Sequence, residues 1–174
     1  MASYCILGGT GFVGSRLIAH LVNRGHRITV PTRDPERARH LRVQPSVGIV
    51  RADVHAPGTL AGLLGGSDAV INLIGILNES GRDGRGFRRA HVDLMQTLIA
   101  ACESAGVSRV IQISALNAGA PQASSHYLRS KGEAETLLRA TRLDWTILQP
   151  SVIYGPGDSF LNRFAGLLKL IPWA

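Results

Sequence analysis

The run Gly8-Gly9-Thr10-Gly11-Phe12-Val13-Gly14 constrains this chain more than any other segment. It follows a short apolar stretch, Tyr4-Cys5-Ile6-Leu7, that reads as a buried strand. Beyond it, Val13, Leu17 and Leu21 share one helical face with Ile18 and Val22. Strand, glycine turn and helix in this order form the context in which such a run binds a dinucleotide. Gly9 and Gly11 permit a tight turn and close approach to a pyrophosphate, and Gly14 permits close packing of helix on strand. The first amides of the helix and its positive dipole end then face the phosphates. All seven residues, Thr10, Phe12 and Val13 included, form the expected phosphate-binding segment.

A length of 174 residues fits one domain with a substantial core. With 45% hydrophobic and 18% charged residues, the composition excludes a disordered chain. Pairs such as Ile147-Leu148 and Leu167-Leu168 are far too short to cross a bilayer, and Asn72 interrupts the run Ala69 to Leu77. The first strand and its turn occupy the N-terminus, so no signal peptide is expected and the cytoplasm is the expected location. Cys5 in a strand and Cys102 in a helix read as buried free thiols. The formal charge of +7 favours anionic partners: a cofactor, a membrane surface or nucleic acid. Arginines cluster at Arg33, Arg37, Arg39 and Arg42, and at Arg82, Arg85, Arg88 and Arg89, without interleaved aromatics. No nucleic-acid motif accompanies them, so they read as a phosphate-binding corner plus solvated helix faces.

Strands are expected at Tyr4–Gly8, Arg27–Val30, Gly48–Arg51, Ala69–Ile74, Arg109–Ser114 and Asp144–Gln149. Helices are expected between them at Gly11–Arg24, Pro35–Leu41, Gly58–Leu64, Phe87–Ser104 and Ser125–Thr141. Gly25 sits where a helix C-cap glycine belongs, and Asp34-Pro35 reads as an N-cap followed by proline at the first helical position. Val92, Met95, Leu98, Ile99 and Cys102 form a stripe that reads as core. The loop Asn78–Gly86, rich in glycine and charge, is expected to be mobile. This alternation predicts an α/β, Rossmann-type, doubly wound parallel sheet with helices on both faces and ligands at the carboxyl ends of the strands. Residues 1–150 are read as the NAD(P)-binding domain. Residues 151–174, with an expected helix Phe160–Leu170, are read as the start of a truncated substrate or interaction region.

Ser114 closes the fifth strand, and Tyr127 and Lys131 follow on the next helix at a spacing that puts both on one face. An ammonium beside a phenol lowers the phenol's pKa from about 10, which makes tyrosine an acid or base near neutral pH. Lys131 is also placed to bind the nicotinamide ribose, and Ser114 to hold a substrate oxygen. Strand two ends Val30-Pro31-Thr32-Arg33, where an NAD site usually carries an acidic side chain. Arg33 suits a 2′-phosphate, while Asp34 before Pro35 suits a helix cap, so NADP(H) is favoured over NAD(H).

These pieces together resemble the short-chain dehydrogenase/reductase superfamily, on its extended or atypical side. The matching segments are Gly8–Gly14, Asn72-Leu73-Ile74-Gly75, Ser114-Ala115-Leu116, Tyr127 to Glu133 and Leu148 to Asp158. The last of these is most similar to the atypical subgroup around the NADPH-binding accessory subunit of respiratory complex I, with its epimerase/dehydratase-like bacterial relatives. The resemblance implies pyrophosphate contacts from Gly8, Gly11 and Gly14, and Asp53 and Val54 beside the adenine. It further implies Leu73, Ile74 and Gly75 along the ribose, and Pro150 and Ser151 near the nicotinamide amide. Two positions depart from the family pattern: His91 stands where extended members often carry Asn, and Gln149 where an Arg is usual. Three functions stay open: an NADP(H)-dependent oxidoreductase acting on an unidentified small molecule; a non-catalytic subunit peripherally bound to a membrane respiratory complex; and a sugar-nucleotide epimerase or dehydratase.

Overall fold

A computed structural model describes residues 1–123 and 125–158. Six strands, β1 Ser3–Leu7, β2 Arg27–Thr32, β3 Val47–Arg51, β4 Ala69–Asn72, β5 Arg109–Ile113 and β6 Asp144–Leu148, form one sheet in the order β3-β2-β1-β4-β5-β6. Every neighbouring pair is parallel. The order reverses between β1 and β4, so the crevice at their carboxyl ends is where a doubly wound sheet takes its ligand. The expected strands are all present, within one or two residues at their ends.

The helices are α1 Phe12–Asn23, α2 Thr59–Leu64, α3 Arg85–Arg88, α4 Leu94–Ala105 and α5 His126–Arg139, with a 3-10 helix at Pro35–Leu41. Asp34 caps that 3-10 helix, accepting the Glu36 N–H at 3.1 Å. Two apolar layers enclose the sheet. Ile6, Ile18, Ile28 and Val30 pack on one face, and Leu7, Leu60, Met95, Leu98 and Cys102 on the other. Both cysteines are buried and free, as expected.

Two expectations are corrected. The single helix Phe87–Ser104 is broken: α3 runs into a π-helical turn, Arg89–Asp93, before α4 begins. That wider turn buries Ala90, His91 and Val92 in succession, which a regular helix face does not do. The loop Asn78–Gly86 is not a loose tether, because the Glu79 carboxylate accepts the N–H groups of Gly84, Gly86 and Phe87. The expected helix Phe160–Leu170 lies outside the described residues.

Close backbone approach sets the position of two helices. A Cβ on Gly14 would lie 2.5 Å from Gly9 Cα and from Gly9 O, so α1 can sit against the end of β1 only with glycine there. A Cβ on Gly132 in α5 would lie 2.2 Å from Gly119 Cα. Gly14→Ala is therefore expected to cost about 1–3 kcal/mol in a urea unfolding titration through overpacking. Gly62→Ala, which has open space in α2, is expected to gain about 0.5–1 kcal/mol in the same titration.

Candidate functional site

The crevice at the carboxyl edge opens into a cavity of about 470 Å3. Gly8, Thr10 and Gly11 form its floor, Leu73, Ile74 and Gly75 one wall, and Asp53, Val54 and His55 the opposite rim. Gly8 makes the turn at φ 76°, and its carbonyl accepts the Gly11 N–H at 3.1 Å. Gly11 caps α1 without a side-chain hydrogen bond, which leaves first-turn amides for an anion. Asn72 at the end of β4 is buried, donates to Gln112 at 2.8 Å and accepts the Ile74 N–H at 3.1 Å. The cavity wall is thereby tied to two strands.

Of the remaining expected residues, Arg33, Asp34 and Arg37 all line the cavity, and the Asp34 carboxylate makes its capping bond and lies 3.6 Å from Arg37. Gly9 and Gly14 lie behind the turn, where they set the helix packing. Phe12 and Val13 face a separate groove with Ile153 and Tyr154. The Arg16 guanidinium sits over the Phe12 ring there and donates to the Pro156 carbonyl. Pro150 and Ser151 do not line the cavity; the Pro150 carbonyl accepts the Leu116 N–H, and Ser151 is exposed.

Among the cavity residues that the sequence does not point to are Arg89, His55 and Ile76. Arg89 belongs to a cluster expected on solvated helix faces, yet it opens the π turn and lines the cavity. Its clustering with basic residues was the available signal. His55 lies in reach of both Arg89 and Arg33, and burial first, then Arg89, lowers its pKa. The cavity mouth is thus held basic by arginine, with its histidine kept neutral.

Ser114 follows the end of β5, and Lys131 on α5 reaches the end of β5 behind Gly75. Lys131 is 4% exposed and donates to the Ile113 carbonyl at 3.1 Å. A Cβ on Gly75 would lie 3.2 Å from Lys131 Nζ and 3.8 Å from His91 Nε2, so only a glycine separates these groups from the cavity. Burial lowers the Lys131 pKa to about 8, with Glu135 pulling the other way. Ser114 is 4% exposed and its hydroxyl has no partner among the described residues. Tyr127 is half-buried, packed edge-on against Phe87 at 6.0 Å and His91 at 5.7 Å. Burial raises its pKa, the opposite of the lowering expected from a nearby ammonium, because Lys131 turns to the backbone of β5.

The two departures from the family pattern both have partners. Gln149 donates to the two oxygens of the buried Glu135 carboxylate at 2.7 and 3.0 Å. His91 is 4% exposed, 2.8 Å from Ser130 Oγ, with its pKa lowered to about 3 by burial and then by Lys131.

With this geometry in place, a family profile described as NAD(P)H-binding matches residues 8–159. The chain belongs to that NAD(P)H-binding family. Among curated members, it is 34% identical over 164 residues to the mitochondrial NADH dehydrogenase (ubiquinone) 1 alpha subcomplex subunit 9 of Mus musculus, covering 92% of this chain and 43% of that protein. It is also 34% identical over 157 residues to a ceramide reductase of Caulobacter vibrioides, covering 88% of this chain and 47% of that one. The chain thus spans less than half the length of these relatives. Among solved structures, UDP-glucuronic acid 4-epimerase of Bacillus cereus in complex with NAD has the same fold, at a TM-score of 0.81 and 20% identity. That match covers 98% of this chain and 63% of the epimerase. No helix among the described residues is long and apolar enough to cross a membrane.

Since its pKa falls from 6.5 to about 3 on folding, His91 binds protons more readily in the unfolded chain. Its contribution to stability is complete above pH 6.5 and is lost as the pH falls toward 3. The expected slope is up to about 1.4 kcal/mol per pH unit. Urea midpoints across that window should show it in the wild type, and His91→Asn should remove that part of the slope.

Proposed function

We propose that this chain is the NADP(H)-binding portion of an oxidoreductase in which Ser114, Tyr127 and Lys131 act on a carbonyl or alcohol. The observation that carries the reading is the buried Lys131 ammonium, set behind Gly75 at the cavity wall on the carbonyl of Ile113, next in the chain to Ser114, whose buried hydroxyl has no partner among the described residues. Buried polar groups are seldom left unpartnered without a functional reason.

The residues present fit a nicotinamide dinucleotide. The glycine turn and the N-terminus of α1 suit its pyrophosphate, and Asp53 and Val54 suit the adenine. Leu73 to Gly75 suit the ribose; Pro150 and Ser151, which lie outside the cavity lining, are proposed for the amide end. Arg33, with Arg37, suits a 2′-phosphate, and Asp34 is engaged by its cap and by Arg37. When bound, the nicotinamide supplies or accepts the hydride.

Tyr127 remains a protonated phenol at neutral pH because burial raises its pKa. As a protonated phenol it can give its proton to a substrate oxygen in the reductive direction. The Ser114 hydroxyl can donate to that same oxygen and orient it. Lys131, with its pKa at about 8, is mostly charged at neutral pH; as it stands its ammonium is held by the Ile113 carbonyl, and stabilising the phenolate would require it to swing toward Tyr127.

A second reading, a non-catalytic NADPH-holding subunit docked peripherally on a respiratory complex at the inner face of a membrane, is favoured by the 34% identity to the mouse subunit. The ceramide reductase at equal identity favours the enzyme. An epimerase or dehydratase activity has support from fold alone.

Calorimetry should give NADPH at least tenfold tighter binding than NADH, about 1.4 kcal/mol, and Arg33→Ala should abolish that preference. Equal binding of the two would remove the 2′-phosphate assignment. Across a panel of aldehydes, ketones and quinones, Tyr127→Phe should abolish NADPH oxidation while leaving NADPH affinity intact. Turnover of no panel member by a wild type that binds NADPH favours the accessory subunit.

A further inference from the structure

His91 is a buried imidazole that the proposed chemistry leaves without a role, and both of its ring nitrogens have neighbours. Ser130 Oγ lies 2.9 Å from the Tyr127 carbonyl, to which it donates. A hydroxyl has one proton, so toward His91 Nδ1, 2.8 Å away, the same oxygen can only accept. Nδ1 therefore carries the imidazole proton. Nε2 is left with a lone pair and meets the Ile76 N–H at 3.4 Å. The two contacts, made to different elements, require the same neutral tautomer.

Ile76 belongs to the segment that walls the cavity, and Ser130 lies between Tyr127 and Lys131 on α5. We infer that His91 is a positioning residue, a tautomer-locked buckle that joins the cavity wall at Gly75-Ile76 to the helix carrying Tyr127 and Lys131. The π turn is what makes the buckle possible, because it turns His91 inward while Arg89, two residues earlier, lines the cavity. The His91 and Phe87 rings also flank the Tyr127 ring, at 5.7 and 6.0 Å. Buckle and ring packing thus act on the same side chain.

His91 is not a proton carrier in this arrangement. Lys131 has a pKa of about 8 and His91 of about 3, so transfer from the ammonium to the imidazole runs far uphill. Glu135 favours the ammonium further. A charged imidazole would lose its acceptor for the Ile76 N–H and would face Lys131 with like charge.

The buckle itself stands independently of the oxidoreductase reading; only its effect on cofactor affinity rests on that reading, and the test separates the two. Two-dimensional 15N spectra of the histidine rings read the tautomer directly in the wild type. The Nδ1–H form of His91 is expected, and an Nε2–H or charged form at neutral pH overturns the inference. The chain has only two lysines, Lys131 and Lys169, so 13C-lysine labelling resolves the buried one. His91→Phe keeps a ring of similar size but neither hydrogen bond, and His91→Gln keeps an acceptor and a donor. His91→Phe is expected to shift the Lys131 titration and weaken NADPH binding about tenfold; His91→Gln is expected to restore both to within about threefold. A folded His91→Phe with wild-type lysine titration and NADPH affinity overturns the inference. If the wild type binds neither nucleotide, the proposed function falls, while the tautomer and the lysine titration still decide the buckle.

Discussion

Where β1 ends, Gly14 lies so near Gly9 that a single Cβ would come within 2.5 Å of two backbone atoms. The rest of the site depends on that contact. It presses the first turn of α1 against the sheet at the switch between β1 and β4, where the strand order reverses. The amides of that turn and the positive end of the helix are then aimed across the crevice. Gly8, at φ 76°, provides the bend that makes the approach possible. Moved outward by the width of one methyl group, the helix would leave a looser and less polar floor.

Electrostatics distinguishes the cavity from the buried polar cluster behind its Gly75 wall. At the β2 end, Arg33 and Arg37 face the solvent with Arg89 nearby, while Asp34 is drawn into a cap and an ion pair. At the β5 end the polar groups are buried: Lys131, Ser114, His91 and Ser130 are each 6% exposed or less. Charge at the first end is well solvated and suits a strongly charged ligand group. Polar groups at the second are shielded from water, where each hydrogen bond and each proton carries more weight.

The sheet could be read from the sequence because each strand is a short apolar run bounded by glycine, proline or a helical pattern. Ile6, Val30 and Val110 all stand at such places and all are buried. The glycine turn was equally legible, since its spacing answers to steric needs that only one residue type meets. The π turn was not. Its residues fit a regular helix by propensity, and only packing around Phe87, His91 and Tyr127 favours the wider turn. Arg89 and His91 were consequently misplaced or left without a role. The fixed loop at Glu79 was missed for a related reason, because a carboxylate gathering three backbone N–H groups leaves no periodic trace. The direction of the Tyr127 shift was missed too, since the sequence places Lys131 on the right face and cannot say which way its ammonium turns.

The Gly119 and Gly132 contact does for α5 what Gly9 and Gly14 do for α1. Two helices, one offering amides and the other the proposed chemistry, are thus riveted backbone to backbone. No residue is smaller than glycine, so neither rivet can be tightened or eased by gradual substitution. A substitution that leaves both helices in place is thus one made in the side chains between the rivets. What the crevice accepts can change many times over while the frame that holds it keeps its dimensions.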